Sequence, residues 1–110
     1  KGIAYVAYNA SKGGVNSLTQ AVASQYADKG IRCNAILPGL MNTPMIAPLS
    51  SAYSQGDFDK MIAMRDRLCP TGKMGTAWDV ANAALFLASD EASYVNGHLL
   101  VVDGALTVRA

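Results

Sequence analysis

The feature that most limits the possible folds is a helical pattern that runs straight into a strand. Across residues 8–28, Val15, Leu18, Val22 and Tyr26 recur at three- and four-residue spacing, an amphipathic helical stripe. Lys29-Gly30 supplies the stop, a cation in the last turn and a glycine able to take positive φ. Residues 31–37 then read as a short strand that Pro38-Gly39 ends. A helix followed by a strand with no hairpin signal is the order of a parallel α/β sheet. The pattern then repeats. Thr76 opens a second helix as its N-cap, with Asp79 in place of the usual glutamate of a capping box. That helix reaches about Ala88, with Val80, Ala84, Leu85 and Leu87 expected inward, and residues 89–92 add a turn. Asn96-Gly97 makes a tight turn before a final strand over residues 99–102. Strand, crossover helix and parallel strand form one right-handed βαβ unit.

Between these elements, residues 40–73 are irregular and carry Pro44, Pro48, Gly56, Pro70 and Gly72. Inside them, residues 58–68 read as a helix with Phe58, Met61, Ile62 and Arg65 along one side. A long, partly helical insertion after a parallel strand suits a substrate lid, here residues 44–73. All five methionines fall in or beside it, which fits an apolar substrate and fits packing of the lid's own core equally well.

With 51% apolar and 15% charged residues in 110, the chain is a globular domain rather than a disordered segment. A net charge of +1 without a basic cluster gives no reason to expect nucleic acid or an anionic membrane. The best apolar run, residues 81–88, is too short to cross a bilayer and contains Asn82. Cys33 and Cys69 are too isolated for a disulfide scaffold and read as buried free thiols of a reducing cytosol. His98 stands apart from any cysteine cluster, which leaves a zinc site unsupported and makes it a surface or strand-edge histidine. Hydrolase chemistry lacks its Gly-x-Ser-x-Gly elbow. The sequon Asn9-Ala10-Ser11 lies inside the first helix of a non-secreted chain. No internal repeat or low-complexity linker interrupts the chain.

The chemistry sits at the start of the first helix. Tyr8 and Lys12 are four residues apart, so their side chains are neighbours on one face. A free phenol has a pKa of roughly 10, and a nearby cation favours its phenolate. A tyrosine so placed can give a proton to a carbonyl oxygen or take one from an alcohol. The bare pair also occurs on surface helices where the lysine merely snorkels. Gly13 and Gly14 weaken the helix intrinsically and suggest a backbone closely approached by another element.

Four ordered segments carry a resemblance: Tyr8-Asn9-Ala10-Ser11-Lys12-Gly13-Gly14-Val15, Ile31-Arg32-Cys33-Asn34-Ala35-Ile36-Leu37-Pro38-Gly39, Thr43-Pro44-Met45 and Val101-Val102-Asp103-Gly104. Together they span nearly the whole chain, which resembles the short-chain dehydrogenase/reductase family. The resemblance implies a Rossmann-type α/β fold, of which residues 1–110 form the C-terminal portion of a single NAD(P)-binding domain. Residues 1–7 would be the loop into the active-site helix. Tyr8 would be the catalytic acid/base. Lys12 would lower its pKa and hold the nicotinamide ribose hydroxyls. Ser11 fits the family's Ser-Lys pair, whereas the catalytic serine would precede Lys1. Pro38, Gly39, Met41 and Thr43 would belong to the segment closing over NAD or NADP. Within it, the Met41 backbone would meet the carboxamide and the Thr43 hydroxyl the pyrophosphate.

The implied activity is hydride transfer to a small-molecule carbonyl or from an alcohol by a cytoplasmic oxidoreductase. The implied assembly is a homo-oligomer, dimer or tetramer, paired through the first helix. Its expected outward positions Asn16, Thr19, Ala23 and Ala27 carry little charge. Two features depart from the family. Ala105 stands where a second glycine often follows Asp103-Gly104, and the Gly-rich phosphate loop with its cofactor-choosing residue is not in these residues. A chain that opens inside its own active-site motif is expected to be a fragment, inactive alone. The alternative is a non-catalytic fragment or interaction module derived from the same fold.

Overall fold

The computed structural model describes residues 5–109, so residues 1–4 of the expected opening loop lie outside the described residues. Helix α1 spans Val6–Tyr26, two residues ahead of its expected start. The Tyr5 carbonyl accepts the Asn9 amide at 2.7 Å, which fixes the first turn. The helix tightens into a 3-10 turn over Ala27–Lys29 and stops at Gly30, whose φ of 72° lets its N–H return to the Ala27 carbonyl.

The chain packs as two compact units: residues up to Ala35 with Phe86–Leu100, and Ile36–Leu85 with the residues from Val101 onward. In the first, the expected inward stripe of α1 holds only in part: Val22 and Tyr26 are half-buried and Ala27 is exposed as expected. Val15 and Leu18 are exposed, Leu18 at 63%, while Thr19 and Ala23, expected outward, are buried at 6% and 4%. The reason is a close approach that only small side chains allow. Asn96 Nδ2 donates to the Ala23 carbonyl at 3.3 Å. A Cβ on Gly97 would stand 3.4 Å from that of Ala23. Thr19 tolerates burial because its hydroxyl donates to the Val15 carbonyl at 2.9 Å. Around Gly13 and Gly14, among the described residues, nothing lies within 4 Å of where a Cβ would sit.

Strand β1 covers only Ala35–Pro38, shorter than the expected residues 31–37. Ahead of it side chains join the backbone pairing, of which the bond from the Gly97 amide to the Cys33 carbonyl at 2.8 Å remains. Asn96 Oδ1 accepts the Cys33 amide at 2.9 Å. Asn34 returns the arrangement, its Oδ1 accepting the His98 amide at 2.9 Å and its Nδ2 donating to the Val95 carbonyl at 2.9 Å. Arg32 donates to the carbonyls of Leu87 at 2.8 Å, Ser89 at 3.1 Å and Val95 at 3.3 Å. Those acceptors lie at and beyond the end of α4, Ala77–Ala88, so Arg32 acts as a C-terminal cap for it. The turn expected over residues 89–92 is a 3-10 turn at Asp90–Ala92.

Strand β2, Leu99–Val102, falls where the sequence placed it and pairs with β1. The Ala35 amide bonds the His98 carbonyl at 2.9 Å and the Gly39 amide the Val102 carbonyl at 3.0 Å, a parallel register.

The second unit is built on sulfur. Ile46, Met61, Cys69 and Met74 form its core, with Leu40, Leu49 and Ile62 packed against them. The irregular stretch folds into a 3-10 helix at Pro44–Leu49, a short α2 at Ser50–Tyr53 and α3 at Phe58–Leu68. Helix α3 matches its expected span because Asp57 caps it, accepting the Lys60 amide at 2.9 Å. Helix α4 opens as expected, though with half a capping box. The Asp79 carboxylate accepts both the Thr76 amide at 2.6 Å and its hydroxyl at 2.8 Å. Of its expected inward residues Leu87 is buried, whereas Ala84 is exposed and Leu85 is 70% exposed, because no described element covers that side.

Candidate active site

In the first unit, α1 carries Tyr8 and Lys12 as the spacing predicts. The Lys12 ammonium lies over the Tyr8 ring, 5.5 Å from its centroid. The Tyr5 ring meets that of Tyr8 edge-on, centroids 5.9 Å apart and planes inclined by 62°. Ser11 turns away from this chemistry, its hydroxyl donating to the Tyr8 carbonyl at 2.8 Å. Tyr8 is 57% exposed, so its phenol is reachable from solvent.

In the second unit, Pro38 ends β1 and Gly39 begins the loop. A Cβ on Gly39 would fall 2.6 Å from Asp103 Cβ and 2.8 Å from its Cα, so only glycine fits there. Next, Met41 forms an isolated parallel bridge with Gly75. Gly75 bonds to Met41's two neighbours, accepting from the Asn42 amide at 2.8 Å and donating to the Leu40 carbonyl at 3.0 Å. In a parallel bridge this turns the Met41 amide and carbonyl to the opposite side. Thr43 is extended ahead of Pro44, and its hydroxyl makes no cap bond to the helix that follows.

A cleft of about 240 Å³ in this unit went unread in the sequence. Met41, Thr71, Lys73, Met74, Asp79 and Asp103 help to line it. The Asp103 carboxylate accepts the Ala105 amide at 2.9 Å, the Thr107 amide at 2.8 Å and the Thr107 hydroxyl at 2.7 Å. The Thr107 hydroxyl, then its amide, hold that carboxyl below its ordinary 3.8. The Asp79 carboxyl is likewise lowered, first by the Thr76 amide and then by the Thr76 hydroxyl. The signals were local: a threonine three residues before one aspartate and four after the other. His98 is exposed. Among the described residues, no three His, Cys, Asp or Glu side chains are grouped to hold a metal. No helix among them is long and apolar enough to cross a membrane.

A family model described as Enoyl-(Acyl carrier protein) reductase matches residues 2–107. A 3beta-hydroxysteroid dehydrogenase 1 from Eggerthella lenta is 50% identical over 101 residues, covering 92% of this chain and 36% of the relative. The ligand-free aldohexose dehydrogenase of Thermoplasma acidophilum superposes with a TM-score of 0.87 at 37% identity, over 94% of this chain and 42% of that one. A protein from Agrobacterium tumefaciens, solved with bound NADP, gives a TM-score of 0.77 at 40% identity, over 93% and 39%. The chain therefore spans well under half the length of the relatives it matches.

Proposed function

The chain belongs to the short-chain dehydrogenase/reductase family, and from that premise we propose that the full-length protein moves a hydride between a nicotinamide dinucleotide and a carbonyl or alcohol carbon. One observation carries the reading: the Lys12 ammonium stacked on the Tyr8 ring, on a solvent-reachable face of α1. In reduction, the Tyr8 hydroxyl gives its proton to the carbonyl oxygen, and in oxidation its oxygen takes the proton of the alcohol. Lys12 supplies positive charge over the ring whose oxygen becomes an anion.

The second unit has the groups a dinucleotide would need. The outward Met41 peptide groups fit a carboxamide, which both donates and accepts hydrogen bonds. The uncommitted Thr43 hydroxyl fits a pyrophosphate oxygen, with Pro38 and Gly39 bringing the loop there from the end of β1. Lys12 would hold the ribose hydroxyls. When bound, NAD or NADP supplies or accepts the hydride. Residues 44–73 would cover the substrate, and α1 would pair subunits of a homo-oligomer.

Turnover of hydroxysteroids, aldohexoses and simple cyclic alcohols by the full-length protein, with each of NAD⁺ and NADP⁺, tests the activity. Tyr8→Phe should lower turnover by about 10²–10⁴-fold while sparing dinucleotide affinity. Lys12→Ala should damage both. A Tyr8→Phe protein that keeps most of its turnover defeats the assignment.

The 110 residues on their own should neither bind the dinucleotide nor catalyse. Supporting this, Leu18, Leu85, Trp78 and Tyr94 all stand in solvent, an exposure typical of surfaces that another element covers. Calorimetric titration with NADH and NADPH, alongside circular dichroism melting, decides it. Micromolar binding by a cooperatively melting monomer would overturn this expectation.

A further inference from the structure

We propose that Tyr5 is a positioning residue for Tyr8, setting the direction of the phenol that transfers the proton. The inference rests on the proton-transfer role given to Tyr8 above and adds a residue to that site. Tyr5 precedes the first turn of α1, with φ −108° and ψ 19°. Its carbonyl is committed to the Asn9 amide at 2.7 Å, so its backbone is fixed by the helix itself. From there its ring reaches Tyr8 at 5.9 Å with planes inclined by 62°. This is the edge-to-face geometry in which the positive rim of one ring meets the negative face of another. The Lys12 ammonium stands 5.5 Å from the same Tyr8 ring. Residues 5, 8 and 12 share one helical face, so Tyr5 bounds Tyr8 on the N-terminal side and Lys12 on the C-terminal side.

Burial does not fix the Tyr8 ring, which is 57% exposed, nor that of Tyr5, at 44%. An exposed tyrosine samples several staggered rotamers unless neighbours exclude them. Ser11 does not restrain the ring, because its hydroxyl bonds the Tyr8 carbonyl. Tyr5 therefore acts on the reaction through the orientation of Tyr8, by the contact of its ring. Misplacing a reacting group by an ångström can cost turnover heavily.

The test compares Tyr5→Phe, Tyr5→Leu and Tyr8→Phe in the full-length protein, with the alcohol from the above panel that is turned over fastest. Tyr5→Leu should lower kcat by about fivefold to tenfold, the scale of one aromatic pair. Its KM for the dinucleotide should stay unchanged, since Lys12 remains, and its melting temperature should fall by no more than the few degrees that one aromatic pair is worth. Tyr5→Phe should restore kcat, because it keeps the ring. In aromatic NMR spectra, the ring-current shift that Tyr5 imposes on Tyr8 should survive in Tyr5→Phe and vanish in Tyr5→Leu. Full kcat in Tyr5→Leu overturns the proposal while leaving Tyr8's role intact. Equal losses in Tyr5→Phe and Tyr5→Leu overturn it in favour of the Tyr5 hydroxyl. Turnover surviving in Tyr8→Phe removes the role of Tyr8 and this proposal together.

Discussion

The two units are held by opposite kinds of contact. In the first, a guanidinium and two carboxamides bond peptide groups that a sheet or helix would otherwise leave open: Arg32 on three carbonyls, Asn34 and Asn96 on both sides of the strand entry. In the second, Met61, Met74, Cys69 and Ile46 fill an apolar core whose side chains make only weak polar contacts through sulfur, Arg65 Nε to Met74 Sδ at 3.4 Å and Cys69 Sγ to the Arg65 carbonyl at 3.6 Å. Polar clasps specify geometry, since each bond has a direction and an orphaned carbonyl is costly. A thioether core tolerates change in shape, since methionine repacks easily. The unit bearing Tyr8 is thus the directionally fixed one, and the unit bearing residues 44–73 is the adaptable one.

The largest expected effect tests the second unit. Met61 is fully buried, and Met61→Ala should cost about 3 kcal/mol in denaturant unfolding of the full-length protein. A cost below that of Arg32→Ala would break the contrast. Next comes Arg32→Ala, at about 2 kcal/mol for charge-assisted bonds to carbonyls. Arg32→Lys should recover less than half, because one ammonium cannot spread over three acceptors as a planar fork does. Hydrogen exchange sharpens the comparison: the Arg32 variant should lose protection at the Gly97 and His98 amides before those of α3.

A smaller effect has the opposite sign. Ala105 holds φ 69°, a left-handed conformation that a side chain resists. Ala105→Gly should stabilise by about 0.5–1 kcal/mol, the relief of that strain less the extra freedom of glycine when unfolded. Thermal melting reads it, and destabilisation would show that the Ala105 methyl packs usefully. The smallest effect concerns acid. The Asp79 and Asp103 carboxyls titrate below their ordinary 3.8 when folded. Their contribution is therefore present above about pH 4 and lost as pH falls through the folded values. Asp103→Asn should flatten the acid limb of stability, and an unchanged limb would mean the Thr107 bonds contribute nothing.

Much of this was legible because it is local. The span of α3 follows from Asp57 and its periodicity, the stop of α1 from Gly30, and β2 from its four apolar residues. The Tyr8–Lys12 adjacency needs only helical spacing. What escaped depends on distant partners. Strand β1 starts late because Cys33 and Asn34 bond Asn96 and His98, more than sixty residues away. The buried face of α1 was misplaced at Val15, Leu18, Thr19 and Ala23 because hydrophobicity alone favours Leu18 over Thr19. Close contact at Ala23 selects for size instead. Tyr5 escaped for another reason: a tyrosine three residues from Tyr8 carries no signal until ring orientation is known.

The contact between Gly39 and Asp103 has a consequence for anyone transplanting this loop. The two strand ends approach so closely that one added carbon at residue 39 would collide with the backbone of residue 103. Residues 40–43 therefore cannot be grafted onto another parallel sheet as a cassette by themselves. The recipient needs the glycine on one strand and the compact Asp103-Gly104 corner on the next, a modular unit assembled from two stretches far apart in the chain.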